Sequence, residues 1–167
     1  KNVADAQRII FCVYNKEDEL KLRAKIGEFE IATKEKNHNW VLFDLTDTFS
    51  KWFTQQKYRK TYFKNPELLP TLLQSKFLPY IQNEFIDFLK LYSNDENTVV
   101  AIKGVGTLYG LLSVKEVVNN LVPLIDGRLL VFFPGSYEKD NFRFMDASSD
   151  GGWNYHATPI TAEKEIF

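Results

Sequence analysis

The chain of 167 residues has the composition of one globular domain. Hydrophobic residues make up 44% of it and charged residues 26%, which excludes a disordered chain and a membrane-embedded one. The formal net charge of -1 and an isoelectric point of about 6.2 exclude an overall electrostatic attraction to nucleic acid or to anionic membranes.

Two residue types stand out in this composition. Aromatic residues reach 15% of the chain, more than a core of this size normally needs, so we expect some of them at the surface or in an interface. The single cysteine, Cys12, cannot form an internal disulfide, which fits a reducing compartment. Because Cys12 lies in the apolar run 9–13, we predict a buried core residue and not a reactive thiol.

The first half of the chain predicts alternating strands and helices. Residues 8–14 and 40–45 are apolar runs typical of strands, and residues 16–37 and 48–56 have helical patterns. Asn15 is a predicted cap of the first helix, and Thr46 and Asp47 are predicted caps of the second. Because the chain begins with Lys1 and not with methionine, we expect a further N-terminal piece in the full protein.

Residues 57–70 interrupt this rhythm, and we predict an excursion from the core there. Pro66 and Pro70 cannot continue a helix that precedes them. A helix over residues 71–92 follows, with an expected interruption or kink at Pro79.

Residues 98–135 predict a strand, a glycine turn, a helix, a strand and a second glycine turn. The runs 99–102 and 129–133 are continuously apolar, as in strands buried on both faces of a parallel sheet. Residues 141–146 and 153–160 alternate apolar and polar side chains, as edge or antiparallel strands do, and residues 148–152 form the predicted turn between them.

The predicted fold is therefore a single three-layer α/β/α domain over residues 1–167. Its sheet is mostly parallel, Rossmann-like or P-loop-like without Walker motifs, with an antiparallel or irregular C-terminal edge. Ligands bind such sheets at the carboxyl ends of the strands. The ligand candidates there are Asp44, Asp47, Gly104, Gly106, Thr107 and Gly135.

The glycine turn at residues 104–110 is the strongest of these signals, but its spacing is GxGxxxG. A dinucleotide fingerprint would have its third glycine at Tyr109, and no acidic residue ends the next strand. The chain also has no GxxxxGK[ST] loop. We favour tight-turn geometry for the glycines and helix capping for Asp44 and Asp47; a nucleotide-binding, degenerate NTPase-like domain is the alternative.

Other catalytic patterns are missing from the sequence. His38 and His156 lie far apart and outside any metal-ligand spacing, and no serine has a GxSxG setting. We therefore predict no catalytic residue, no metal site and no cofactor.

The segment 57–64 interleaves basic and aromatic residues. Such a composition suits single-stranded nucleic acid, which is bound by charge and base stacking, and it also suits a protein partner. The residues of this predicted surface are Lys57, Tyr58, Arg59, Lys60, Tyr62, Phe63 and Lys64.

Six segments in order resemble the BrxB family of bacterial BREX phage-exclusion systems. They are EDELKLR at 17–23, FDLTDTF at 43–49, the stretch 104–125, LLVFFPGSY at 129–137, NFRFMD at 141–146 and GWNYHATPI at 152–160. The resemblance implies a cytoplasmic accessory protein of antiviral defence, which binds the alkaline-phosphatase-like component PglZ within a larger assembly of BREX components. It brings no established catalytic residues. We therefore predict a non-enzymatic interaction module, with nucleotide binding and nucleic-acid binding as the alternatives.

Overall fold

A central β-sheet organises the fold in the computed structural model, which describes residues 5–145 and 156–162. Five parallel strands lie side by side in the order β2-β3-β4-β1-β6, and β5 pairs antiparallel with the end of β4. The described strands are β1 (Ile9–Tyr14), β2 (Asn39–Asp44), β3 (Thr98–Lys103), β4 (Arg128–Glu138), β5 (Asn141–Phe144) and β6 (Thr158–Thr161). The predicted mostly parallel sheet is confirmed.

The strands are joined by helices and short 3-10 turns. The α-helices are α1 (Glu19–Glu35), α2 (Thr48–Thr54), α3 (Arg59–Lys64), α4 (Leu69–Leu72), α5 (Leu78–Leu89) and α6 (Val114–Leu121). Within the described part of the chain, no helix is both long enough and apolar enough to span a membrane. Asn15 caps the 3-10 turn Lys16–Asp18, which leads into α1, by accepting a hydrogen bond from the backbone N–H of Glu17 at 3.2 Å.

The sheet separates two apolar clusters of unequal size. Side chains alternate along each strand, so Phe11 of β1 faces one cluster and the adjacent Cys12 faces the other. In the larger cluster the sheet packs against α2, α5 and α6, through residues such as Trp52, Phe85 and Leu121. The helical residues of the smaller cluster come from α1, namely Leu22, Ile26 and Phe29. The domain is thus the predicted three-layer α/β/α fold, with α1 on one face.

Most described aromatic rings lie inside this core. Phe11 packs against Phe133 and Phe142 with ring centroids 5.0 and 4.8 Å apart, and Phe43 packs edge-on against Phe85 at 5.0 Å. Such pairs add to the stabilisation that comes from buried area. Among the described residues, the exposed aromatic side chains are those of Tyr58, Tyr92 and Tyr109. In the part of the chain that the structure describes, the aromatic residues therefore mainly build the core, and few of them are exposed.

The predicted interruption at Pro79 is confirmed, and its cause is local. A π-helical turn, Leu73–Phe77, joins α4 to α5, and the N–H of Leu78 bonds to the carbonyl of Leu73 five residues earlier. Pro79 follows in the first turn of α5, where a missing N–H is tolerated. Pro70 has the same position in α4, so the helix begins slightly earlier than predicted.

The segment after β3 differs from the prediction. The glycine turn leads into a 3-10 turn, Val105–Leu108, and α6 begins only at Val114. Gly104 and Gly110 have φ angles of 80° and 75°, which interrupt a right-handed helix before it can form.

The antiparallel or irregular C-terminal edge predicted from the sequence is found in β5 but not in β6. β5 is antiparallel to β4, whereas β6 is an edge strand that runs parallel to β1. The predicted strand 153–160 overlaps β6 at its end, and its residues 153–155, like the predicted turn 148–152, lie outside the described residues.

Replacing Gly27 tests whether α1 gains from a better helix former. Gly27 lies within α1, and an added Cβ would meet no atom within 4 Å. We expect Gly27→Ala to raise the free energy of unfolding by about 1 kcal/mol in urea denaturation. Gly127→Ala is the control: its Cβ would lie 1.9 Å from the carbonyl oxygen of Thr98, so this variant should be destabilised. An unchanged or lower stability of Gly27→Ala would contradict the prediction.

Candidate functional site

A small pocket lies at the carboxyl ends of β1, β3 and β4. Its volume is about 250 Å³, and it is lined by Lys16, Glu19, Arg23, Gly104, Gly106, Thr107, Pro134 and Met145. The connection after β1 carries α1 to one face of the sheet, whereas α6, between β3 and β4, packs on the other face. Open α/β sheets bind ligands at such a topological switch point. We call this cavity the switch-point pocket.

The glycine turn forms one wall of the pocket and uses its own polar groups. The Thr107 hydroxyl donates to the carbonyl oxygen of Gly104 at 2.8 Å and lies 3.3 Å from that of Leu45. The Thr107 N–H also bonds to the Gly104 carbonyl at 3.1 Å. A Cβ on Gly104 would lie 2.6 Å from the Thr46 nitrogen, so the turn packs directly on the end of β2. This geometry supports an architectural role for Gly104.

The two predicted aspartates have different surroundings, and neither lines the pocket. Asp44 accepts a hydrogen bond from the Thr46 N–H at 2.9 Å and pairs with Lys103 Nζ at 3.1 Å. Burial favours a raised pKa for Asp44, but the bonds from Thr46 and Lys103 outweigh it and hold the pKa below its usual value. Asp47 occupies the N-cap position of α2 without a side-chain capping bond. Asp44 therefore stabilises the turn after β2.

An ionic network that the motif analysis missed lies beside the pocket. Glu19 accepts hydrogen bonds from the Tyr14 hydroxyl and, at 2.8 Å, from Arg23 Nε. Burial, together with the Glu19 carboxylate, raises the pKa of Tyr14 well above its usual range. The i,i+4 spacing of Glu19 and Arg23 was the available signal. The network fixes the start of α1 against the end of β1.

Gly135 lies in β4 next to the pocket residue Pro134. A Cβ there would lie 1.9 Å from the carbonyl oxygen of Arg143. Gly135 therefore allows the backbone of β5 to pair closely with β4, through the register Gly135↔Phe144.

In the basic and aromatic segment 57–64, which includes α3, the exposed basic and aromatic side chains among those described are Lys57, Tyr58, Arg59, Lys60 and Lys64. Tyr58 is 58% exposed, and Lys57 Nζ lies 5.5 Å from the centroid of its ring. Arg59 donates to the Thr54 carbonyl at 2.7 Å, which ties the start of α3 to the end of α2. Contact with nucleic acid or with a protein partner stays a prediction for this surface.

Neither Cys12 nor His38 lines the switch-point pocket. Burial raises the pKa of Cys12 to about 11, so the thiol is protonated at neutral pH. His38 Nδ1 lies 2.6 Å from the side-chain oxygen of Asn97. Among the described residues there is no cluster of three or more potential metal ligands.

Comparison with known proteins decides the family. A family model described as BREX protein BrxB matches residues 41–160, which are 120 of the 167 residues. The chain belongs to the BrxB family. Membership makes it a component of a BREX system and places it in antiviral defence. BrxB is an accessory BREX family and not a known enzyme family. No curated protein and no solved structure matches the chain.

The BrxB match includes most of the parts that shape the switch-point pocket. It runs from β2 into β6 and contains the glycine turn, Pro134 and the β4–β5 hairpin. Lys16, Glu19 and Arg23 lie before it in the chain. The wall formed by the start of α1 thus comes from outside the matched segment.

Two glycines of the turn provide a matched test of its packing. Gly104 and Gly110 both have positive φ angles, but only Gly104 would place a Cβ against another atom within 4 Å. Alanine in this conformation costs about 1–2 kcal/mol at either position. We expect Gly104→Ala to lose at least about 1 kcal/mol more than Gly110→Ala in urea denaturation, because Thr46 must also move. Equal losses would show that the contact with Thr46 does not constrain the turn.

Proposed function

We propose that this BrxB protein is a non-enzymatic accessory component of its BREX system that binds PglZ, the alkaline-phosphatase-like component, within a larger cytoplasmic assembly. The family match over residues 41–160 carries the proposal. The choice of PglZ as the partner comes from the family resemblance of the six sequence segments.

The carboxylates in and near the switch-point pocket support an accessory role. Glu19 is held by Tyr14 and Arg23, and Asp44 is held by Thr46 and Lys103. The pKa of Asp44 is lowered and not raised toward neutrality. Carboxylates that are held in structural bonds in this way are poorly suited to general acid or base catalysis.

The surface also supports a role in protein contact. Large apolar side chains are exposed on several elements, among them Leu20 and Ile31 of α1 and Leu91 and Tyr92 after α5. Larger exposed apolar patches mark interaction sites, whereas single exposed residues are ordinary. Because Leu91 and Tyr92 are adjacent, the end of α5 is the stronger indication of a contact surface.

Co-purification tests the partner. When the BrxB protein and PglZ of one BREX system are co-expressed, we expect the two to co-elute in affinity capture and in size-exclusion chromatography at physiological salt. An unrelated alkaline phosphatase serves as the control for specificity and should elute separately. Separate elution of the BrxB protein and PglZ at micromolar concentrations would contradict the proposal.

Nucleotide binding is the second candidate function, favoured by the position of the switch-point pocket. Lys16 and Arg23 bring two cationic side chains, of which Arg23 is paired with the lining carboxylate of Glu19, to a cavity whose other wall contains Gly104, Gly106 and Thr107. Its volume of about 250 Å³ is below the usual range for ligand sites, so only part of a nucleotide would fit inside.

A thermal-shift series decides this second candidate. If nucleotides bind, a ligand concentration of 100 Kd should stabilise the fold by about 2.7 kcal/mol, and Lys16→Ala should remove most of the shift. Lys25→Ala is the control, because Lys25 is exposed on α1 and does not line the pocket. The absence of a shift with millimolar nucleotide and magnesium would reject nucleotide binding and leave the proposal about PglZ unaffected.

A further inference from the structure

The helices α2 and α3 carry a concentration of positive charge that the net charge of the chain conceals. Residues 48–66 contain five basic residues and no carboxylate, whereas the rest of the chain has 16 basic and 22 acidic residues. All five basic side chains are exposed. We call them the basic surface: Lys51, Lys57, Arg59, Lys60 and Lys64. The net charge of -1 thus combines a positive local surface with a negative remainder.

The charges of the basic surface are not neutralised within the fold. In the described part of the chain none of the five side chains forms an ion pair, whereas three exposed lysines elsewhere pair with a carboxylate three or four residues away. The carboxylates that border the segment, Asp47 and Glu67, form no pair with it either. Lys60 and Lys64 lie four residues apart in α3, where like charges repel each other. The fold therefore leaves this surface free to attract an anion.

Backbone contacts concentrate these charges around one helix junction. Arg59 donates to the carbonyl oxygen of Thr54 at 2.7 Å, which holds the start of α3 against the end of α2. Lys51 lies in the last turn of α2, three residues before Thr54. Along α3, Lys60 and Lys64 are separated by about 6 Å. An extended anion that crosses the junction can therefore meet several of the charges at once.

The composition of the basic surface favours phosphate groups over a protein partner. Four of its five residues are lysines, and lysine is depleted in protein–protein interfaces. Contacts to the backbone of nucleic acids, in contrast, use lysine and arginine together with hydroxyl and amide side chains. Exposed side chains of that kind, Thr54, Gln55 and Thr61, lie among the basic residues. A nucleic-acid backbone is therefore the anion that this surface fits best.

The aromatic side chains around α3 favour a duplex over a single strand. Single-stranded nucleic acid is held by bases that stack on aromatic side chains. Tyr58 is exposed, but Lys57 Nζ lies over its ring at 5.5 Å from the centroid, and Tyr62 is half-buried. Charge, and not stacking, is thus the main interaction that the surface offers. Duplex DNA supplies that charge at any sequence, at about one phosphate for every 1.7 Å of its axis.

We propose that the basic surface binds the phosphate backbone of double-stranded DNA without sequence preference. This function is additional to the proposed binding of PglZ and does not depend on it. Each phosphate contact releases condensed counterions, so the affinity depends steeply on salt. With up to five contacts, the slope of log K against log salt reaches about -4.5.

Fluorescence anisotropy with a short labelled DNA duplex tests the proposal in the absence of PglZ. For four contacts, we expect the affinity to fall about 150-fold between about 50 and about 200 mM salt. A duplex of unrelated sequence should bind with a Kd within about twofold of the first. No binding at the lower salt concentration, where phosphate contacts are strongest, would overturn the proposal.

A double variant and a control of equal charge locate the contact. Lys60→Gln combined with Lys64→Gln should reduce the salt slope by about 2 and weaken binding at low salt at least about fivefold. The control combines Lys25→Gln with Lys36→Gln, two exposed lysines of α1 and its C-cap, on the opposite face of the sheet from α2. It should leave the slope and the affinity unchanged. Equal weakening by both double variants would show that only the overall charge matters, and the inference would fail.

Two further outcomes would replace the proposal by another. If a single strand binds more tightly than the duplex and Tyr58→Ala removes the difference, base stacking is the main interaction. If the duplex does not bind, and if the variant at Lys60 and Lys64 weakens the binding of PglZ, the basic surface is a protein contact. The DNA assay contains no PglZ, so failure of the proposed function would leave its result unaffected.

Discussion

The constraint on which the rest of this structure depends is the burial of a parallel sheet on both of its faces. The central strands β3 and β4 are almost continuously apolar and buried, so helices must cover both sides. Parallel strands also require crossover connections, and each crossover that contains an amphipathic helix supplies that cover. The right hand of these crossovers sends α1 to one face and the other described crossover helices to the opposite face.

The strand order creates the switch-point pocket. Because the chain moves from the inner strand β1 to the outer strand β2 and then returns, the connections diverge at the carboxyl ends of the inner strands. The divergence leaves the switch-point pocket, and the polar side chains around it mostly hold its walls together. Glu19 ties α1 to β1 through Tyr14, and Asp44 ties β2 to β3 through Lys103. A position that binds cofactors in other open sheets is used here, in large part, for structural bonds.

The functional proposals depend on the side chains that are not buried in the core. Most of the described aromatic side chains pack in the core. A few large apolar or aromatic residues, such as Tyr92 and Ile31, are exposed and are available for contact with a partner.

The sequence by itself determined the class of the fold, the position of most strands and helices, and the break at Pro79. These features depend on local patterns: apolar runs, helical spacing, and a missing proline N–H. The tertiary structure alone decided the strand order, the parallel direction of β6, the late start of α6, and the meeting of Lys16 and Arg23 with the glycine turn. These features arise from contacts between residues far apart in the chain, which no local pattern of residues encodes.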